Sequence, residues 1–493
     1  MRRLGAVIAA LALVAGACGS SATPNPVPSV ESTASGSEVP TSPSVSTSES
    51  PSGSPTAQGS TAPSTAAPYG YAAISPFPTQ PVTITLWTQP GEVALPGFET
   101  HSKNPGDWDR YLAAQYTALH PNVHFVVQDF AGGSEFVAKI DAALQAGQPP
   151  DILNWTDGLN SGFAHTSGVL EDLSKIAPTA SAALLPAYKK LYTVNGSLFL
   201  MPTYASIYNF VKVNKAMFDA AGLTLPADGN WTYDEFNADM AKLAVPGKVW
   251  PVAIRLTDWV TTYDWQGFLW GYGCEPWNST LTVSTINSPA CLQALQWLID
   301  ANNKGWIEPG AATIDYGPED TLFNTCAVAI SYGRANAVQR QQGMAAQTTC
   351  PMDVQIEQWP HLASAPPVAP SVSTDGWSVF TQADPVKKQV IGDFIDFAFQ
   401  PQYSMPYAIQ QSSPSLYTSW PNPLVSNPDL LKADTWIAQQ GVFNDGVLGP
   451  NYLQIRQQTA PIWQSAFLGQ TSPQDALSQI DTKINILLTT PSQ

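Results

Sequence analysis

Charge is what this chain lacks most: 12% of its 493 residues are Asp, Glu, Lys or Arg, about half the share usual in soluble proteins. Its 21 basic residues stand against 38 acidic ones, a net charge of −17. That field repels nucleic acid and gives no purchase to a polyphosphate partner. With five His and five Cys, and no Cys-x-x-Cys pair or His-rich cluster, a structural zinc site is not expected. No Gly-x-Ser-x-Gly, His-Glu-x-x-His or phosphate-loop pattern occurs. Nor is there a long apolar run: the first, Leu4 to Ala15, is too short to stay in a bilayer as a spanning helix.

That short run is informative in its setting. Arg2 and Arg3 precede it, and Ala15-Gly16-Ala17-Cys18 ends it. A basic start, an apolar stretch and small residues before a cysteine describe an export signal over residues 1–17. Cys18 is then the acylated first residue of a lipoprotein, anchored to the outer face of a bacterial cell membrane. Losing Arg2 and Arg3 leaves 19 basic against 38 acidic residues, or −19. Residues 18–80 are rich in Ser, Thr, Pro, Ala and Gly and hold three Glu but no Lys or Arg. Such a segment cannot bury enough surface to offset its ordering entropy and is expected to be an extended stalk.

Beyond residue 80 the patterning changes. Val82 to Trp87 alternates with period two and predicts a strand, and Trp108, Leu112, Tyr116 and Leu119 mark one face of a helix. Val123 to Val127 predicts a second strand. Phe136, Ile140 and Leu144 predict a second helix, closed by Gly147 and barred from continuing by Pro149-Pro150. A third strand begins at Asp151-Ile152-Leu153. Alternation of this kind predicts an α/β domain with an open parallel sheet, whose ligands bind beyond the carboxyl ends of the strands. The four cysteines after the signal, Cys274, Cys291, Cys326 and Cys350, allow three pairings; the local ones, Cys274–Cys291 and Cys326–Cys350, each close a modest loop and are expected in an exported chain.

Several blocks, in order, resemble the maltodextrin-binding-like family 1 of extracellular solute-binding proteins. They are the opening strand and the helix before His120-Pro121, then Phe136 to Gly147 running into Pro150-Asp151-Ile152. Gly168-Val-Leu-Glu-Asp-Leu173, Asn195 to Pro202, and Tyr208 to Lys215 with Ala221-Gly222-Leu223 follow. Trp231-Thr-Tyr-Asp-Glu-Phe236, Phe323 to Gly333, and Asp375-Gly376-Trp377 complete the set. The resemblance implies a two-lobed, type II-like periplasmic-binding-protein fold with a ligand cleft between the lobes and crossing hinge segments. Carried over, lobe one holds 81–202 plus 320–372 and lobe two 203–319 plus 373–493. It also implies a monomeric receptor that hands its solute to ABC permease subunits and needs no cofactor.

A sugar offers apolar C–H faces to aromatic rings and a rim of hydroxyls to carboxylates, amides and Arg. The chain has 16 Trp, several beside polar residues. Trp155 with Asp157 follows the third strand, and Asp264, Trp265 and Trp270 lie within about two helical turns. The resemblance adds Tyr204, Tyr332, Arg334 and Trp377 with Asp375 beside it, and Trp87 ends the opening strand. Trp108 and Trp297 sit at inward-facing helix positions and are expected in the core, while Trp231 is expected to staple the helix after it. A glycoside-acting enzyme would need the same aromatics plus two carboxylates, with Asp151, Asp157, Asp264 and Asp375 as its candidates. A surface sensor or adhesin on the same fold is a third possibility. An uncharged sugar as transported solute is the reading preferred here.

Overall fold

Strands and helices alternate from the start because apolar spacing alternates between two and 3.6 residues. The computed structural model describes residues 71–88, 107–130, 134–257, 266–314, 316–418, 420–442 and 446–490; Cys18, Asp264 and Trp265 lie outside these. Its first strands are β1 (Val82–Thr88), β2 (Val123–Asp129) and β3 (Ile152–Thr156). Between them run the helices Asp107–Leu119 and Ser134–Gln145, within two residues of the limits read from the pattern. β4 (Thr193–Val194) and β5 (Ser197–Leu198) make a small hairpin; β6 (Met201–Tyr208) and β7 (Phe210–Asn214) follow, then β8 (Trp250–Val252), β9 (Val328–Gly333), β10 (Val354–Glu357) and β11 (Ser371–Val379).

These strands form two large sheets, and each founds a lobe. The first has the order β2-β1-β3-β11-β6, the second β10-β7-β9-β8. β1 pairs in parallel with β2 and β3, as expected. β11, however, is antiparallel to both β3 and β6, while β9 is antiparallel to β7. The expected lobe limits are therefore corrected. Strands β9 and β10, near residues 330 and 355, belong to lobe two, while β6, which runs to Tyr208, and β11, near residue 375, belong to lobe one. Helices Pro385–Ala398 and Pro401–Gln410 pack on lobe one's core, whereas Pro428–Gln440, Tyr452–Phe467 and Pro473–Thr489 pack on lobe two. Lobe one also begins earlier than expected. Tyr71 donates to Asp393 Oδ2 at 2.6 Å, the Ile74 N–H donates to Oδ1 at 2.8 Å, and Phe77 stacks on His120 at 3.8 Å. Residues 71–80, read as the end of the stalk, are clasped onto the lobe.

Each lobe has its own interior. Lobe one's holds Ile84, Leu86, Leu112, Tyr116, Trp377 and Phe394; lobe two's holds Val213, Phe236, Phe268, Leu295, Trp359 and Ile480. Trp108 and Trp297 are both buried, as read from their spacing. Both disulfides, Cys274–Cys291 and Cys326–Cys350, take the expected pairings, and both lie in lobe two. Among the described residues no helix is long and apolar enough to cross a membrane.

Candidate functional site

The lobes meet where β6 becomes β7. Asn209 is the intervening residue, at φ 65°, and its side-chain amide donates to the Ala369 carbonyl at 3.0 Å. A left-handed residue turns the chain sharply, and Asn tolerates that region better than most. A second crossing runs from β10 to β11. Strand directions then decide what faces what. β1, β3 and β6 point to one edge of the first sheet, because β1 is parallel to β3 while β3 and β6 are both antiparallel to β11, whose midpoint Asp375 pairs with Thr156 and Tyr204. β9 and β10 end at the hinge edge of the second sheet, because Gly333 and Glu357 pair with Phe210 and Val211. β8 runs parallel to β9 and ends there too. The carboxyl edges of both sheets thus face the junction, the place where open α/β sheets bind ligands.

Lobe one brings Tyr204, Tyr208 and Asp375 to this edge. Tyr204 and Tyr208 stand four residues apart on β6, so they share a face of the strand. The Tyr204 hydroxyl donates to Asp375 Oδ2 at 2.7 Å, and its ring meets Tyr407 edge-on at 5.3 Å. Burial, followed by the Asp375 charge, pushes the Tyr204 hydroxyl well above its ordinary range, so it stays a donor at any ordinary pH. Lobe two brings Tyr332 and Arg334 from the end of β9. The rings of Tyr208 and Tyr332 lie 6.2 Å apart at 29°, one from each lobe. Burial raises the Tyr208 hydroxyl, while the Arg334 charge, with a hydrogen bond from its guanidinium, pulls it down.

Beneath Tyr332 lies an ion pair absent from the sequence reading. Arg255 Nε is 2.7 Å from Glu319 Oε2 with both groups buried, and the guanidinium stands 5.3 Å from the Tyr332 ring. The Ser331 hydroxyl donates to the other Glu319 oxygen. A signal for Arg255 existed: it is a lone charge in Pro251-Val-Ala-Ile-Arg-Leu256, directly after β8. Tyr208, also absent from the sequence reading of the site, is marked by its spacing from Tyr204.

Four expected contacts are corrected, because core or backbone partners already cover them. Trp377 is fully buried, with Phe394 stacked at 5.2 Å, Phe399 edge-on at 5.3 Å and Trp108 at 5.6 Å. Trp155 is 2% exposed and stacks on Phe136 at 3.8 Å. Trp270 sits in lobe two's core. Asp157 is 1% exposed and accepts from the Gly158 N–H at 2.8 Å, the Ser373 hydroxyl at 3.0 Å and the Thr374 N–H at 3.0 Å, tying the helix Asp157–Ala164 to β11. Trp87 remains partly exposed at the end of β1, leaning on Phe130 at 4.8 Å. Asp151, a candidate for an enzyme, accepts from the Thr85 N–H at 2.7 Å and pairs with Lys387 at 2.6 Å, which fixes it as a brace between β1 and β3.

Residues 100–405 match the family model of bacterial extracellular solute-binding proteins. The chain belongs to this family. No sequence among curated proteins matches it. The fold is shared with solved structures. A cyclic α-maltosyl-1,6-maltose binding protein from Arthrobacter globiformis is 19% identical, with a TM-score of 0.64 over 83% of this chain and 99% of that one. The maltose-bound MalE3 of T. maritima gives 15% identity and a TM-score of 0.65 over 82% and 99%. UgpB from Mycobacterium tuberculosis in complex with glycerophosphocholine gives 18% and 0.62 over 83% and 98%.

Proposed function

We propose that this protein is the carbohydrate receptor of an ABC importer, holding its solute between the two sheet edges and delivering it to permease subunits. The observation that carries this reading is the pairing of Tyr208 with Tyr332 across the hinge, flanked by an acceptor, Asp375, on one lobe and a donor, Arg334, on the other. Rings from both lobes suit the C–H faces of a sugar, and the flanking polar groups suit its hydroxyls. A solute touching both edges favours the state in which they are close, so binding and lobe closure are linked. Trp87 and the undescribed Asp264 and Trp265 are further candidate contacts. Acylation at Cys18 would hold a monomeric receptor at the outer face of the membrane, with residues 18–70 as tether. A catalytic role has less support, since Asp151 and Asp157 are bound within the lobe-one framework.

Thermal unfolding of the full chain against a panel of sugars, polyols and glycerophosphocholine tests this reading. A ligand at 100 times its dissociation constant adds about 2.7 kcal/mol of stability. A selective rise of the midpoint with one sugar series is the expected result. A rise with glycerophosphocholine alone would replace the sugar with a phosphodiester, and hydrolysis of any glycoside in the panel would replace the receptor with an enzyme.

A further inference from the structure

Outside the facing edges the molecule holds a cavity of about 460 Å³, within the range of small-molecule sites. Leu185, Tyr188 and Leu191 form one wall, from the lobe-one helix Pro186–Leu191 and the residue before it. Ile437 and Val442 form the other, from the helix Pro428–Gln440, which packs on β10 of lobe two, and the stretch after it. The lining is mostly apolar; its polar members are Tyr188, Lys190, Ser415, Asn422 and Asp434, and Asp434 accepts from the Asn422 amide at 2.8 Å.

Asp434 decides what the cavity can hold. Its carboxyl is partly buried against apolar walls, and that burial raises its pKa. Burial, and after it the Asp434 charge, keeps the Tyr188 hydroxyl protonated in the same cavity. Among the described residues no Lys or Arg lies within ion-pair distance of Asp434; Lys190, at the cavity, makes no ion pair there. A carboxylate in low dielectric without a cation is costly, and a cation relieves that cost. An anionic occupant would meet Asp434 and the negative net charge. A sugar would leave most of its hydroxyls unbonded against Leu, Ile and Val. The chain's own residues 19–70 carry no Lys or Arg, so they cannot supply the cation. What fits both the apolar volume and the carboxylate is a small molecule with an alkyl or aryl body and one ammonium group.

We propose that this cavity is a second ligand site, for a small primary amine with an apolar body whose ammonium meets Asp434. The test is calorimetric titration of the full chain with hexylamine, using hexan-1-ol as the neutral match of equal length. Saturable amine binding at one site is expected, with the alcohol at least tenfold weaker. Asp434→Asn should erase the preference for the amine. Ala438→Trp, at an exposed position of the lining, should fill the cavity and abolish binding without lowering the unfolding midpoint by more than a few degrees. The proposal is overturned if hexylamine shows no saturable binding, if alcohol and amine bind equally, or if both folded variants bind hexylamine as the wild type does.

Discussion

Asp109 shows how a single carboxyl can be read for its pH behaviour. It lies at the start of the helix Asp107–Leu119, 1% exposed, where the Asn154 amide donates to its oxygens at 3.0 and 3.2 Å. Burial pushes it up to about 6, against the pull of the Asn154 and Thr88 hydrogen bonds. The unfolded chain therefore ionises first as pH rises, and the folded state loses relative stability between about pH 4 and 6. Measured against Asp109→Asn by denaturant titration, wild-type stability should fall over that window by roughly 3 kcal/mol and then level off. A flat difference would show that Asp109 is solvated. In the candidate site, Tyr332→Ala should weaken sugar binding by about fivefold or more, given ~1–3 kcal/mol for a buried ring contact. Unchanged affinity in a folded variant would remove Tyr332 from the site. Residue type alone could not separate Tyr332 from Trp377. β11 is buried along its whole length, so alternation carries no sign of which side chains face the cleft.

At the scale of elements, local signals were most legible where the partners are neighbours in sequence. The helix Tyr233–Leu243 carries a capping box, spelled locally by Thr232 and Glu235. The Thr232 hydroxyl accepts from the Glu235 N–H, the Glu235 carboxylate accepts from the Thr232 N–H at 2.8 Å, and Trp231 meets Phe236 edge-on at 5.0 Å. That ring pair joins the residue before the cap to the fourth helical residue, the geometry of a hydrophobic staple. Trp231 is also 1% exposed in lobe two's core, so the two halves of the device differ in weight. Thr232→Ala should cost about 1 kcal/mol, whereas Trp231→Ala should cost ~3–5 kcal/mol. Equal costs in chemical denaturation would contradict that division. The disulfides were legible for the same reason, since each closes a short loop. Serine at Cys274 and Cys291, which are 17 residues apart, should cost about 3 kcal/mol by the same measurement.

For the whole molecule, the sequence shows two lobes only through likeness to a family, because strand partners separated by hundreds of residues leave no local mark. β1, β2 and β3 were placed correctly by period and order, yet β9 and β11 were assigned to each other's lobes. The hinge nonetheless makes a molecular prediction. Gly333 faces Phe210 so closely that an added Cβ would lie 2.2 Å from its ring and 2.8 Å from its carbonyl oxygen. Gly333→Ala must spread β7 from β9 at the crossing point. Small-angle scattering should show the wild type contracting when saturated with its sugar and the variant contracting less; equal contraction would place the pivot elsewhere.

The position of β11 has a consequence for how the chain is made. It lies between β3 and β6 in lobe one's sheet, yet its residues start at Ser371. A ribosome that has finished β6 has supplied the two flanking strands and not the one that joins them. Lobe one therefore stays an open, unfinished sheet until about three-quarters of the chain has been translated. This delay acts as a timer written into the strand order.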